Sequence, residues 1–230
     1  MRRIAVLLPF ALTACAGELS RDTAILGPTP MGDFQAPIES LEARRFATVV
    51  RQQYDFSCGS AALATLLTYH YGDRQDEAAT FRGMWAGGDR AQIRKLGFSL
   101  LDMKRYLEAR GLPANGFKVS LPEIEKAGVP GIALVTLQGY RHFVVVKGIK
   151  DGEVLVGDPA LGLKIVGADE FQKSWNGVYF VIDRPLAPDA QAFNAPAHWA
   201  SFNRAPMGSR FSDPVSQQAL ALTAPFYRDF

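Results

Sequence analysis

The pattern of apolar residues changes near Gly131, and this change limits the folds that the chain can adopt. Before Gly131, apolar residues recur at helical spacing, as in the helix predicted for Leu100 to Arg110. After Gly131, β-branched and aromatic residues form short runs that are typical of strands. These runs are 132–137, 143–146, 154–156, 164–166 and 178–182. Helices followed by strands predict an α+β fold, with N-terminal helices packed on an antiparallel sheet, rather than an alternating α/β fold.

Composition excludes several classes of function. The 230 residues are 48% hydrophobic and carry a formal net charge of +2, which describes one globular domain with terminal extensions. A charge this balanced does not favour a nucleic-acid partner. The 3 histidines and 2 cysteines are not spaced as in a zinc site, and no glycine-rich phosphate loop is present. We therefore expect neither a metal nor a cofactor.

A single thiol stands at the start of a predicted helix. Mostly polar residues 51–57 lead directly into Cys58, and small and apolar residues follow it up to Leu67. Backbone N–H groups without partners and the helix dipole favour thiolate over thiol at such a position. Because the thiolate is the nucleophilic form, Cys58 is the candidate nucleophile. The alternative for a lone cysteine is a buried structural residue on an apolar helix.

A histidine and a carboxylate are predicted to be neighbours in the sheet. His142 precedes one run of strand residues, Asp158 follows the next run, and a turn at 150–152 joins the two strands. In an antiparallel pair, the beginning of one strand lies beside the end of the other. An acid there can orient an imidazole that takes the proton of a nucleophile. This pairing favours a catalytic Cys58 over a structural one.

Four short motifs resemble a known family of enzymes. They are Gln52 six residues before Cys58, Cys58-Gly59 at a helix start, His142-Phe143-Val144-Val145, and Gly157-Asp158-Pro159. Together they resemble the bacteriocin-processing cysteine peptidases, papain-like enzymes that remove leader peptides after a double glycine. The resemblance covers about residues 46 to 182 and implies a papain-like cysteine peptidase fold.

The resemblance also implies a role for each residue of the site. Cys58 would be the nucleophile, and His142 would be the general base and acid. Asp158 would orient the imidazole, and the side chain of Gln52 would donate to the oxyanion. Gln53 stays open as the alternative oxyanion donor, if the register differs by one residue.

The same resemblance implies a peptide or protein substrate that is cleaved after Gly-Gly, since only residues without side chains fit a narrow channel to the thiol. Typical family members are fused to ABC transporters and face the cytoplasm, whereas the start of this sequence predicts export. A secretion or surface-assembly system is therefore a candidate partner. Two other functions stay open: a catalytically silent peptide-binding or assembly module for a secreted or surface protein, and a papain-like acyltransferase.

The start of the sequence is typical of an exported lipoprotein. Met1-Arg2-Arg3 and the apolar run from Ile4 to Leu12 form a secretory signal. Leu12-Thr13-Ala14-Cys15 resembles a bacterial lipobox, in which Cys15 becomes the lipidated first residue and anchors the protein to a membrane. Ala16 does not resemble the usual signal for inner-membrane retention, so we expect an outer-membrane lipoprotein on the periplasmic side. An ordinary signal peptide, or a disulfide between the two cysteines, is the alternative.

Lipidation of one cysteine has a consequence for the other. It leaves Cys58 as a free thiol in an oxidising compartment. A structural thiol gains little there and risks oxidation. Export therefore strengthens the catalytic interpretation of Cys58.

The chain is predicted to contain four segments. They are the signal peptide with its lipobox at 1–15, a tether at 16–45, the papain-like peptidase domain at 46–183, and a C-terminal arm at 184–230. The tether contains prolines and glycines with little periodicity, and the arm interleaves prolines with aromatic residues. We expect the arm to pack on the domain or to dock a partner.

Three further expectations concern single positions. Residues 48–50 should form a strand that delivers Gln52 to the site. His70 should meet the dipole at the C-terminal end of its helix. His198, within the arm, should be incidental to function.

Overall fold

The computed structural model describes residues 23–29, 32–37, 40–137, 139–188, 190–200 and 202. Contacts between residues divide the chain into one unit that ends at Arg44 and another that begins at Arg45. The predicted signal peptide with Cys15, and the end of the predicted arm, lie outside the described residues. Within the described ranges, no helix is long and apolar enough to cross a membrane.

The first unit contains a hairpin that the sequence analysis did not predict. Strand β1 (Thr23–Thr29) pairs antiparallel with strand β2 (Gly32–Pro37). The prolines do not prevent this pairing, because Pro28 lies where the register is irregular and Pro37 is the last residue of its strand. Residues 23–29 and 32–37 of the predicted tether thus form paired strands, and the tethering role itself stays a prediction.

The helices begin and end at recognisable local signals. They are α1 (Leu41–Phe46), α2 (Cys58–His70), α3 (Glu77–Gly87), α4 (Arg90–Leu96), α5 (Leu100–Glu108), α6 (Leu121–Ala127), α7 (Ala168–Ser174) and α8 (Pro196–Ala200). The side chain of Ser99 caps α5 and forms a capping box with Asp102. Gly97 ends α4 with a φ of 75°, which glycine adopts without strain.

A six-stranded sheet forms the centre of the second unit. Its strands are β3 (Ala114–Lys118), β4 (Gly131–Leu137), β5 (Tyr140–Lys150), β6 (Glu153–Asp158), β7 (Gly162–Gly167) and β8 (Trp175–Ile182). Their order is β3-β8-β4-β5-β6-β7, and each neighbouring pair is antiparallel. The predicted α+β class is confirmed, although the sequence analysis did not predict β3.

Helices cover both faces of the sheet. On one face, Leu63 and Leu66 of α2 are fully buried and pack in one cluster with Val145 of β5. Each buried leucine contributes about 1.5–3 kcal/mol relative to an exposed one. On the other face, Val144 packs in a cluster with Phe171 of α7. Strand β5 is thus buried on both sides, which explains its continuous apolar run.

A glycine brings the start of α2 close to its neighbours. A Cβ atom at Gly59 would lie 3.0 Å from Cβ of Phe98 and 3.1 Å from Cε of Met103. Both neighbours belong to the core cluster around α2. The absence of a side chain at Gly59 therefore sets how deeply the first turn of α2, with Cys58, sits in the domain.

The described part of the C-terminal arm packs on the rest of the second unit. The N–H of Gln191 donates to the carbonyl of Tyr69 at 2.8 Å, and the N–H of Asn194 donates to the carbonyl of Lys147 at 2.9 Å. Trp199 packs against a small apolar cluster that includes residues of β6 and β7. Docking of a partner by the arm stays a prediction.

Two histidines, one in α2 and one in the arm, are buried near the buried Lys147. His70 is fully buried, and its Nδ1 donates to the carbonyl of Gln191 at 2.6 Å. Burial and the nearby Lys147 lower the pKa of His70 to about 3 and that of His198 to about 4. His70 is the last residue of α2, as predicted, but the lowered pKa keeps its ring neutral, so it brings no charge to the helix dipole. His198 is buried and belongs to the packing of the arm.

Candidate active site

Cys58 is the first residue of α2, and its side chain is buried. The preceding Ser57 does not cap the helix with its side chain. Its Oγ instead accepts from the N–H of Tyr54 at 3.1 Å and donates to the carbonyl of Tyr54 at 3.0 Å. First-turn N–H groups therefore remain available to stabilise negative charge at the start of the helix.

His142 and Asp158 are paired, as their positions in the sequence predict. His142 Nε2 lies 2.7 Å from Asp158 Oδ1, and both side chains are buried. Burial lowers the pKa of His142, but the Asp158 carboxylate and the neighbouring Cys58 sulfur outweigh it and raise the pKa to about 9. Burial likewise opposes ionisation of Asp158, yet His142 and Lys164 hold the pKa of this carboxyl well below its usual range.

The second ring nitrogen of His142 is the one left for the thiol. Nδ1 is buried and has no hydrogen-bond partner of regular geometry among the described residues. Cys58 is nevertheless close enough to raise the pKa of this ring. Hydrogen bonds between a nucleophile and its base are often long before substrate binds. We therefore regard Cys58 and His142 as adjacent groups, with Nδ1 as the ring nitrogen available to the thiol.

The carboxylate of Asp158 has more partners than the sequence analysis predicted. Its Oδ1 also accepts from the N–H groups of Ala160 at 2.9 Å and Leu161 at 3.3 Å. Its Oδ2 accepts from Nζ of Lys164 at 2.8 Å. Lys164 belongs to no recognisable sequence motif. Only its position in the strand after Asp158 could have indicated that it contacts this carboxylate.

Gln52 is tied to the segment that follows Asp158. Its backbone N–H donates to the carbonyl of Pro159 at 3.0 Å. The predicted strand at 48–50 is a turn instead, because the N–H of Val50 donates to Oγ1 of Thr65 in α2 at 2.9 Å and is not free for a sheet. Gln52 therefore reaches the site through a loop.

The two glutamines differ in their surroundings. Gln52 is half-buried, and its side-chain Oε1 is buried without a partner among the described residues, whereas Gln53 is exposed. Only the N–H groups of a side-chain amide can donate to an oxyanion, so the support for Gln52 is its half-buried position in a loop bonded to the residue after Asp158. This arrangement favours Gln52 as the oxyanion donor, and the role itself stays a prediction.

Tyr140 connects the loop before Cys58 to the strand that carries His142. Its hydroxyl donates to the carbonyl of Asp55, and its ring centroid lies 6.2 Å from that of His142. Burial, Cys58 and Asp55 raise the pKa of Tyr140. The sequence analysis did not single out this residue, because nothing in its motif distinguishes it from an ordinary strand residue.

A cleft of about 880 Å³ runs along the thiol. Its lining includes Cys58, Phe98, Leu100 and Tyr140, together with charged residues such as Arg105. A surface of this kind can take an extended or folded peptide. In the described part of the chain, no group of three or more histidine, cysteine, aspartate or glutamate side chains is arranged to hold a metal ion.

The contrast between the glutamines gives a testable prediction. Gln52→Ala should lower kcat by about 10² to 10³ with little change in KM, because an oxyanion donor acts only as charge develops on the substrate oxygen. Gln53→Ala is the matched control and should leave both constants close to wild type. The measurement is steady-state kinetics on a peptide that the wild-type protein cleaves. A larger loss with Gln53→Ala, or no loss with either change, would place the oxyanion hole elsewhere.

Known proteins resemble the region that contains this site. The relatives include the "Probable functional amyloid protease FapD" of Pseudomonas aeruginosa, 46% identical over 145 residues, and that of Pseudomonas fluorescens, 43% identical over 145 residues. Each alignment covers 63% of this chain and 64% of the relative, so the chain spans less than two thirds of the length of these relatives.

A solved structure shows the same fold. The peptidase domain of Streptococcus ComA, a bi-functional ABC transporter involved in a quorum-sensing pathway, matches with a TM-score of 0.51 and 22% identity. The match covers 60% of this chain and 98% of that domain. The papain-like fold inferred from the motifs is therefore confirmed, as is the resemblance to double-glycine peptidases. The model of the Peptidase C39 family matches residues 47–186, which is more than half of the sequence, and the chain belongs to that family.

Proposed function

We propose that this protein is an exported cysteine endopeptidase that uses Cys58, His142 and Asp158 to cleave a peptide or protein substrate. The observation that carries the proposal is the buried hydrogen bond between His142 and Asp158, beside a thiol at a helix start. Membership of a peptidase family supports the reaction class.

The geometry supports acylation followed by hydrolysis. The thiolate of Cys58 attacks the carbonyl carbon of the scissile bond, and the side chain of Gln52 with the N–H of Cys58 stabilises the oxyanion. The imidazolium of His142 then gives its proton to the leaving amine as the C–N bond breaks. Water gives a proton to the now neutral ring and attacks the thioester; the Cys58 thiolate then leaves, which restores its pair with the imidazolium and releases the new carboxylic acid.

Asp158 has a steady role through this cycle. Its hydrogen bond to Nε2 fixes the ring so that Nδ1 is the nitrogen available to the thiol and the leaving amine. Its negative charge also stabilises the imidazolium, which agrees with the raised pKa of His142. A neutral amide at this position could still orient the ring but would not stabilise its charge.

The surroundings of the thiol support cleavage after Gly-Gly. Cys58 is only 5% exposed, and its cleft is lined nearby by the rings of Phe98 and Tyr140. The hydrogen bond from Tyr140 to Asp55 joins two residues of the cleft lining. A thiol this buried is reached most easily by residues without side chains, so glycine is favoured on the acyl side of the scissile bond.

The relatives suggest a substrate class. The names of the Pseudomonas proteins describe them as functional amyloid proteases. We include in the proposal that this protein acts on a secreted fibre protein or on a component of the system that exports and assembles it. This use fits an exported enzyme better than the processing of bacteriocin leaders by a transporter.

A peptide-cleavage assay tests the proposed specificity. A fluorogenic peptide with Gly-Gly before the scissile bond should be cut after the second glycine, whereas a matched Ala-Ala peptide should be cut at least about tenfold more slowly, because each added methyl group must fit beside a buried thiol. Cys58→Ala should cut neither peptide. Equal cleavage of both peptides by the wild type would overturn the Gly-Gly specificity.

Binding controls separate this proposal from the silent alternative. Fluorescence anisotropy with the same Gly-Gly peptide should show that Cys58→Ala still binds it, since the cleft is unchanged. Wild-type protein that binds the peptide without cutting it would contradict the enzyme and favour a catalytically silent binding module.

The export part of the proposal rests on the N-terminal sequence. Lipidation at Cys15 would place the domain on the periplasmic side of the outer membrane. Cys15→Ser should therefore convert a membrane-associated protein into a soluble or unprocessed one, as followed by cell fractionation and immunoblotting. Cys58→Ser is the matched control and should fractionate like wild type. Unchanged fractionation of Cys15→Ser would contradict lipid anchoring.

A further inference from the structure

The register of the sheet places a lysine beside the carboxylate of the site. In the pairing of β6 with β7, Asp158 lies opposite Gly162 and Val156 lies opposite Lys164. Residues two apart in a strand share a face of the sheet, and so do residues directly opposite each other. Asp158 and Lys164 are therefore diagonal neighbours on one face, at a separation that a long lysine side chain spans.

Gly162, the residue opposite Asp158, has no side chain that could reach the carboxylate. It has a φ of 79°, and a Cβ atom there would lie 2.7 Å from Cβ of Arg45 and 2.8 Å from its carbonyl oxygen. The position opposite Asp158 is therefore restricted to glycine. Lys164 lies two residues after Gly162 on the same face of the strand. It makes the contact with Asp158 that the glycine cannot make.

The two oxygens of Asp158 have separate partners. Oδ1 accepts from Nε2 of His142 and from the two backbone N–H groups of the following turn. Oδ2 accepts from Nζ of Lys164 at 2.8 Å. Rotation of the carboxylate would break bonds at both oxygens. Lys164 therefore fixes the edge of the carboxylate that faces away from the ring.

Lys164 also balances the charge of Asp158 when His142 cannot. The carboxylate is 1% exposed, and a buried carboxylate without a cation is strongly disfavoured. During the reaction His142 alternates between imidazolium and neutral imidazole, so its pairing with Asp158 weakens at each turnover. Lys164 takes no part in that proton transfer and keeps an ion pair on the carboxylate throughout.

The location of Lys164 separates it from the substrate. It lines a hollow of about 310 Å³ near α7, together with Val144, Val156, Phe171 and Lys173. The cleft along Cys58 is lined by other residues in the described part of the chain. An effect of Lys164 on the thiol must therefore pass through Asp158 and His142.

We propose that Lys164 is a positioning residue of this peptidase, which holds Asp158 ionised and oriented while His142 exchanges its proton. The inference rests on the proposed catalytic role of Cys58, His142 and Asp158. It does not depend on the identity of the substrate.

Alkylation of Cys58 by iodoacetamide tests this inference without any substrate. The rate at about pH 6 reports the thiolate that is paired with imidazolium. Lys164→Met should lower this rate by roughly threefold to tenfold, because a carboxylate that has lost its bond at Oδ2 orients the His142 ring less well. Lys164→Arg should restore most of it. Lys173→Met, which removes a lysine from the same hollow, is the control and should behave like wild type.

A double-mutant cycle identifies the route of the effect. In an Asp158→Asn background, Lys164→Met should change the alkylation rate by less than about twofold, because the carboxylate through which the lysine acts is already absent. Full additivity of the two changes would overturn the inference. The inference would also be overturned if Lys164→Met lowered the melting temperature but left the alkylation rate at the wild-type value. A purely structural ion pair would behave in this way. Because alkylation needs no peptide, this experiment can be interpreted even if the protein does not cleave after Gly-Gly.

Discussion

The hydrogen bond between His142 and Asp158 is the interaction on which the rest of the site depends. A carboxylate that is 1% exposed persists as an anion only if cations and N–H donors surround it. Here the donors come from β5, from the turn after β6, and from Lys164 on β7. The buried carboxylate of Asp158 thus links β5, β6 and β7 beside His142, the candidate base for the thiol.

The helix that carries the thiol meets this charge because of its own sequence. Small residues at the start of α2, Gly59 above all, let it settle against Phe98 and Met103, and buried leucines hold the rest of it on the sheet. The loop before it is tied to the site by Gln52 at Pro159 and by Tyr140 at Asp55. The nucleophile and its base therefore come from different layers of the fold, and packing between the layers sets their separation.

Much of this arrangement could be predicted from sequence because it depends on local patterns. The strand runs indicated an antiparallel pair, and His142 and Asp158 bracket that pair, so their proximity followed from topology. Lys164 was missed because its contact depends on register, which the turn after Asp158 sets and no motif marks. The turn places Gly162 opposite Asp158, so Lys164, two residues after Gly162, lies diagonally across from Asp158. Counting residues across the turn in this way would have indicated the contact. The paired strands at 23–29 and 32–37 were missed because their residues do not alternate regularly between apolar and polar.

The titration of His142 shows whether Asp158 and Cys58 hold its ring as imidazolium. The ring protons of the 3 histidines can be followed by NMR across pH, and His70 and His198 should titrate far from His142, near pH 3 and 4. We expect a pKa of about 9 for His142, because Asp158 and Cys58 stabilise the imidazolium more than burial disfavours it. Its imidazolium should therefore persist through neutral pH and be lost only as the pH rises through that value, and Asp158→Asn should lower the pKa. A wild-type His142 that titrates at or below 6.5, the ordinary value for histidine, would contradict the account.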